Sequence, residues 1–198
     1  MKCIVLFDYG VGNLHSLGKA LGRRGHDVRI EHDAQNLGAA DALVLPGVGA
    51  FGPAAAALGA HRERMLQALG DGIPCLAICL GMQLLFDASA ESEGTGLGWI
   101  AGQVRRLAAA RVPQMGWNGV ETQPDPLFDG VTGLVAYYAN SYVCDAVDAA
   151  AVIAWTDYMG DRFAAAVRRG RTWGVQFHPE KSAAPGLRII DNFLDEIE

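Results

Sequence analysis

The sequence predicts an α/β protein: a mixed, mostly parallel sheet flanked by helices on both faces. Three observations carry that reading. Short, uniformly apolar runs such as Cys3-Ile4-Val5-Leu6-Phe7 and Ala42-Leu43-Val44-Leu45 lack the alternation of a strand with one wet face, so both faces are buried. These runs alternate with amphipathic helical stretches through the first half of the chain, the pattern of a helix-covered parallel sheet. From Gly94 onward the segments become short and turn-separated, as in hairpin strands packed onto the same sheet.

The first strand is expected over 2–7, where Asp8 closes the apolar run. A secretory signal would need a longer apolar region and a cleavage site, so this is a first buried strand. A helix over 13–24 ends in Arg23-Arg24-Gly25, basic residues followed by the glycine that helix C-termini favour. Strands over 27–31 and 42–45 come next, then a helix over 53–69, a strand over 73–78 and a helix over 80–86. The second half reads as strands over 133–138, 151–155, 162–167 and 172–177, with an amphipathic helix over 186–197. Brief alanine runs at 54–57 and 108–110 are too short to be linkers, and the chain contains no internal repeat. One domain over 1–198 is expected.

Hydrophobic residues make up 51% of the 198, yet no apolar run reaches the roughly 18 residues of a membrane span, so a soluble protein is expected. The formal charge of −6 argues against nucleic acid or an anionic membrane as partner. Cys3, Cys75, Cys79 and Cys144 are too few and scattered for a disulfide scaffold, which together with the missing export signal points to the reducing cytoplasm. The histidines form no ligand spacing with Cys75 and Cys79, so no metal is expected. Cys3, Cys75 and Cys144 lie in apolar runs and read as inert core residues.

Cys79 differs from them. In Ala77-Ile78-Cys79-Leu80-Gly81-Met82-Gln83 it stands where a strand turns into a helix, which projects the sulfur above the strand ends and sets it at a helix N-terminus. Far downstream, Gly174-Val175-Gln176-Phe177-His178-Pro179-Glu180 sets a histidine and a carboxylate two residues apart after another apolar strand. A thiol, an imidazole and an orienting carboxylate are the requirements of nucleophilic acyl transfer. The bland rival, a buried cysteine and an unrelated surface histidine, leaves both the turn and the His178–Glu180 spacing unexplained.

Oxyanion donors are expected from the Leu80 amide and from Pro46-Gly47-Val48-Gly49, where glycines let a Val48 or Gly49 amide turn toward the thiol. Gly47-Val48-Gly49-Ala50-Phe51-Gly52 also matches a dinucleotide fingerprint, but the following acid, Asp71, precedes the next strand instead of following it. Gly10-Val11-Gly12 has His15 at the third glycine position. No nicotinamide, flavin or other cofactor is expected. Gln83, one helical turn past Cys79, can reach a substrate amide or carboxylate.

The elbow and the His178-Pro179-Glu180 segment resemble the triad-type (class I) glutamine amidotransferases. Asp8-Tyr9-Gly10-Val11-Gly12-Asn13-Leu14, Leu45-Pro46-Gly47-Val48-Gly49-Ala50-Phe51 and Gln114-Met115-Gly116-Trp117-Asn118 extend the resemblance over nearly the whole chain. Ala77 stands where many relatives have glycine. The resemblance implies glutamine hydrolysis through a glutamyl thioester on Cys79, with His178 as acid and base and Glu180 orienting it. It makes 46–49 the oxyanion loop, sets Gln83 against the substrate, and matches Asn140-Ser141-Tyr142 to a His-Ser-Tyr segment that binds the substrate through its backbone. That match departs at Asn140, and the contacts of Ser141 and Tyr142 should survive the change.

Within the family the motifs are most similar to glutaminase subunits of histidine biosynthesis. That implies a heterodimer with a (β/α)8 cyclase subunit that takes up the ammonia, and makes Trp117, Asn118 and Lys181 interface candidates. A glutaminase fills these 198 residues, so the ammonia consumer is expected on a separate chain. The alternatives are a triad glutaminase subunit of another amidotransferase, or a non-catalytic binding protein of the same fold.

Overall fold

A computed structural model describes residues 1–10 and 14–197. The chain runs β1 (Cys3–Phe7), α1 (Leu14–Leu21), β2 (Asp27–Glu31), β3 (Ala42–Leu45), α2 (Phe51–Gly59), α3 (Arg62–Gly70), β4 (Cys75–Ile78) and α4 (Leu80–Leu84). It continues through β5 (Ala88–Ser89), β6 (Gly102–Arg106), β7 (Gln114–Gly119), β8 (Glu121–Thr122), β9 (Val135–Asn140) and β10 (Tyr142–Ala146). Last come β11 (Val152–Tyr158), β12 (Asp161–Arg169), β13 (Thr172–Val175) and α5 (Ala183–Asp195).

Eight strands form the main sheet in the order β2-β1-β3-β4-β13-β12-β11-β8. The first five are parallel and the last three add in antiparallel fashion. Alternate residues of β1, β3 and β4 enter opposite cores, and Trp173 and Val175 of β13 enter the first. Ile4, Leu6, Val44, Leu76, Ile78, Trp173 and Val175 pack with Leu17 and Leu21 of α1 and with Ile189, Ile190 and Phe193 of α5. Val5, Phe7, Leu43, Leu45, Cys75 and Ala77 pack with Phe51 and Leu58 of α2, Met65 of α3 and Met82 of α4. The expected helix cover on both faces is present. Among the described residues no helix is long and apolar enough to cross a membrane.

Several local expectations are corrected. The helix expected over 53–69 is two helices, α2 and α3, broken at Ala60 and His61. The His61 ring packs edge-on against Phe7 at 5.4 Å and its Nδ1 accepts from the Ala34 amide, contacts that bend the chain there. The strand expected from 73 starts at Cys75, because Pro74 has no N–H to donate to a ladder. The segment expected over 133–138 does not join the main sheet. As β9 it pairs with β7 in a separate two-stranded ribbon, while β10, β6 and β5 form a third sheet. The closing helix starts at Ala183, ahead of Gly186. Cys3 is half-buried rather than a core residue. Residues 11–13, which hold the expected start of the first helix and part of the Gly10-Val11-Gly12 turn, lie outside the described residues.

The neighbouring ends of β3 and β4 approach so closely that two glycines are obligatory. A Cβ on Gly47 would lie 1.7 Å from the Ile78 carbonyl oxygen, and one on Gly81 would lie 2.2 Å from that of Leu45. Gly47→Ala should therefore destabilise the fold by at least about 3 kcal/mol, through forced backbone movement. Gly18, inside α1 with open space around it, is the control. Gly18→Ala should stabilise by roughly 0.5–1 kcal/mol. Urea denaturation of the two variants checks the opposite signs, and equal midpoints would refute the account of the clamp.

Candidate active site

Cys79 is the sharp turn itself. Its backbone sits at φ 50°, ψ −103°, an unusual region for a residue with a side chain. The Cys79 amide donates to the Val175 carbonyl at 2.6 Å, tying the turn to the end of β13, and the Cys79 carbonyl accepts from Gln83 at 3.1 Å, opening α4. The Leu80 amide is the first of that helix and has no intrahelical partner. Because α4 is only five residues long, the thiol depends on local donors more than on a long helix dipole.

His178 follows β13, the strand next to β4, so the two neighbouring strands deliver the imidazole and the thiol to one sheet end. Its Nδ1 shares a proton with Glu180 Oε1 at 2.9 Å, leaving the opposite ring nitrogen for the sulfur. Burial works against a charged imidazole here, but the hydrogen bonds with Cys79 and Glu180 outweigh it. They raise His178 from 6.5 to about 9. The raised value favours the protonated ring at neutral pH, with the Cys79 sulfur beside it.

Above the thiol lies a cavity of about 310 Å³, the small end of the range for ligand sites. Val48, Gly49, Leu80 and Gln83 line it together with Cys79 and His178, and Ser141, Tyr142 and Lys181 complete the opposite wall. Glu180 stands behind His178, and Trp117 and Asn118 lie outside. The Tyr9 hydroxyl donates to the Pro46 carbonyl, anchoring one end of the 46–49 loop, while Gly49 at φ 129° adopts a backbone open mainly to glycine.

Gln83 is more enclosed than its sequence position indicates. It is buried, and its Nε2 donates to the Tyr142 carbonyl at 3.1 Å and to Gln176 Oε1 at 3.3 Å. Asn140 Nδ2 donates to the same Tyr142 carbonyl at 3.1 Å. Since the Ser141 carbonyl takes the Leu107 amide, Tyr142 occupies the alternate ladder position, whose N–H points away from β6. Of the interface candidates, Trp117 is 56% exposed on β7 and packs edge-on against Tyr137 across the ribbon. Lys181 Nζ lies 5.8 Å from the centre of the Tyr137 ring. Asn118 turns inward, donating to the Asp157 carbonyl and accepting from the Gly119 amide.

Sequence reasoning missed three residues. Gln176 is fully buried and its Nε2 donates to Cys79 Sγ at 3.4 Å. Ser182 donates to the His178 carbonyl at 2.6 Å and accepts from the Tyr137 amide at 2.9 Å, fastening the histidine turn to β9. Glu91 lines the cavity while Oε2 accepts from the Phe51 amide at the start of α2. A polar residue inside the apolar run Val175-Gln176-Phe177 was the available signal for Gln176. Nothing local distinguishes Glu91.

The model of the family "Glutamine amidotransferase class-I" matches residues 5–197. A protein of Halobacterium salinarum named imidazole glycerol phosphate synthase subunit HisH is 45% identical, the match covering 97% of this chain and 92% of that one. Proteins of the same name from Natronomonas pharaonis and Deinococcus radiodurans are 43% and 45% identical, with 97% and 98% of this chain and 94% of each relative covered. Among solved structures, PurLQS from Thermotoga maritima superposes with a TM-score of 0.81 at 18% identity, covering all of both chains. A solved glutamine amidotransferase gives 0.77 at 19% identity, covering 98% of each chain. At those identities the structures speak for the fold alone.

The raised His178 makes a signed prediction. A group whose pKa rises from 6.5 to about 9 on folding stabilises the fold fully below 6.5 and loses that contribution as pH climbs through 9. The stability gap between the protein and His178→Gln should thus narrow by about 3 kcal/mol between pH 6 and pH 9.5. Denaturation at the two pH values measures it, and a constant or widening gap would contradict the imidazolium.

Proposed function

The chain belongs to the class-I glutamine amidotransferases, and from that premise we propose that it is the glutaminase subunit of an imidazole glycerol phosphate synthase. It hydrolyses glutamine and passes the ammonia to a cyclase subunit in histidine biosynthesis. The observation that carries the chemistry is Cys79 and His178 lining one small cavity, with Glu180 behind the imidazole at 2.9 Å. The full-length likeness to proteins named as this subunit supports the pathway.

In this reading the Cys79 thiolate attacks the side-chain amide carbon of glutamine. The negative charge that develops on oxygen meets the Leu80 amide and an amide of the Val48–Gly49 segment. His178 enters the step as an imidazolium and gives its proton to the departing nitrogen, so ammonia leaves and a glutamyl thioester remains. The neutral imidazole then takes a proton from water, which adds to the thioester and releases glutamate. Glu180 holds Nδ1 throughout, fixing the ring and supporting its charged form. The Tyr142 amide suits the substrate carboxylate, Gln83 borders the same space, and the Glu91 carboxylate suits the α-ammonium. A free thiol is required, in keeping with four unbridged cysteines and a reducing cytoplasm.

Beside the cavity, the β7–β9 ribbon exposes Met115, Trp117 and Val135. Met115 and Lys181 belong to both the cavity wall and this surface. Exposed large apolar side chains next to a site whose product must be handed on support the ribbon as the docking face of the (β/α)8 cyclase subunit. Trp117 and Lys181 are the contacts, with Asn118 shaping the ribbon from within.

Glutamate release and cyclase turnover test the proposal together. Cys79→Ala should abolish glutamine-dependent synthesis while the complex still uses added ammonia. His178→Ala should lose about as much as Cys79→Ala, and Glu180→Ala less, because the ring still reaches the thiol part of the time. Glutamine-dependent rates within twofold of the unchanged protein in either histidine or cysteine variant would end the assignment. Trp117→Asp should weaken cyclase binding at least about tenfold, measured by titration, without lowering the glutaminase rate of the isolated chain. The isolated chain should be the slower enzyme. Turning one donor of the 48–49 peptide into place on docking would be worth about 10²–10³ in rate, so equal glutaminase rates with and without cyclase would reject that switch.

A further inference from the structure

Gln176 takes no part in the chemistry proposed for the triad, yet it is the buried side chain whose amide donates to the sulfur. It leaves β13 on the sheet face that α4 covers, one residue after Val175 and two before His178. Three hydrogen bonds in series define its orientation. The Tyr142 backbone carbonyl can only accept, so the Gln83 amide must face it with nitrogen, at 3.1 Å. That same nitrogen meets Gln176, which must answer with oxygen, at 3.3 Å. The remaining end of Gln176, its NH₂, is thereby turned to Cys79 Sγ at 3.4 Å. Asn140 helps at the far end, donating to the same Tyr142 carbonyl.

We propose that Gln176 is a positioning residue for the nucleophile: its amide, locked by Gln83 and the Tyr142 carbonyl, donates to Cys79 Sγ and favours the thiolate in the attacking rotamer. The inference rests on Cys79 being the nucleophile. A hydrogen bond to an ionised acceptor is about twice as strong as one to a neutral acceptor, so a fixed N–H donor holds the sulfur preferentially in its charged form. The lock matters as much as the donor. A free primary amide would present its oxygen half the time, and a carbonyl oxygen against a thiolate is repulsive. Gln83 thus has two duties, one toward the cavity and one beneath it. The second explains why a side chain one turn past the elbow is buried rather than reaching freely into the pocket.

The thiolate itself is the readout. Alkylation of Cys79 by iodoacetamide, followed by mass spectrometry of the Cys79 peptide at a series of pH values and without glutamine, gives the midpoint of thiolate formation. Charged and titratable neighbours are His178 with Glu180 behind it, the buried Tyr9 and Cys144, which both feel the sulfur's charge, and Glu91 and Lys181 on the cavity wall. Gln176→Met removes the donor, keeps the length and alters none of these groups. The midpoint should rise by about one pH unit, which is about tenfold slower alkylation below it. kcat for glutamine at neutral pH should fall by a similar factor with KM changed less than about twofold. Gln83→Met keeps the donor and removes the lock, so its midpoint should move the same way by a smaller amount. It carries the test alone should Gln176→Met fail to fold. A midpoint unchanged in the folded variants overturns the proposal while leaving the triad intact. Full glutaminase activity in Cys79→Ala, or alkylation that misses Cys79, overturns the triad itself and is distinguishable from the first result.

Discussion

The backbone of Cys79 is held where a side-chain-bearing residue rarely rests, and the surrounding fold is arranged to keep it there. A positive φ on a non-glycine residue costs of order 1–3 kcal/mol and persists only when its neighbours over-determine it. Here the restraint comes from three sides. The Val175 carbonyl takes the Cys79 amide, Gly47 lies against the Ile78 carbonyl, and Gly81 lies against the Leu45 carbonyl. No side chain fits between the ends of β3 and β4, so the turn cannot relax by sliding sideways. The same tightness brings the 46–49 loop alongside the sulfur, which makes it a candidate source of oxyanion donors.

Topology does the rest of the assembly. β3, β4 and β13 are adjacent in the sheet although the third of them lies far along the chain, and each ends beside the same cavity. The 46–49 loop, the thiol and the imidazole are therefore delivered by three neighbouring parallel strands at their carboxyl ends, where open α/β sheets bind ligands. The ribbon is pinned to this assembly by its backbone. His178 donates its amide to the Tyr137 carbonyl, and Ser182 takes the Tyr137 amide while donating to the His178 carbonyl. The exposed apolar face and the proposed base consequently share one short hydrogen-bonded unit, with Tyr137 between Trp117 on one side and the histidine turn on the other.

What could be read from residues alone follows from where the information sits. Strands buried on both faces are short apolar runs, so β1, β3 and β4 were legible, and β2, an edge strand with charged residues, also has its expected bounds, as does β3. β6, β7 and β10 were not: Gly102-Gln103-Val104-Arg105-Arg106 and Gln114-Met115-Gly116-Trp117-Asn118-Gly119 mix glycine and polar residues because their sheets lie at the surface. Glycine and glutamine lower the strand signal there, and pairing with distant partners restores it. The break at His61 depends on Phe7 and Ala34, residues of other elements. At the site, the thiol, the histidine and the carboxylate stand in local spacings that chemistry recognises, whereas Gln176 acts on a sulfur remote in sequence and Ser182 ties the nearby His178 turn to the distant Tyr137.

Those hidden partners answer an electrostatic problem. In the proposed reaction a thiolate, an imidazolium and a carboxylate stand in one buried line and leave a net negative charge with little water to solvate it, and unpaired buried charge costs several kcal/mol. His178 neutralises one anion by lying between two, which is why its own proton is held to about pH 9 despite burial. The excess charge then has to be spread over dipoles. Gln176 reaches the sulfur from beneath the sheet end, and the backbone fastens the imidazole from behind through Ser182 and Tyr137. A glutamine suits the place beside the sulfur better than a lysine or arginine would. A full positive charge there would compete with the imidazolium for the sulfur and pull down the His178 pKa that the proposed acid role needs. A neutral donor supports the anion and leaves the proton where the proposed reaction needs it.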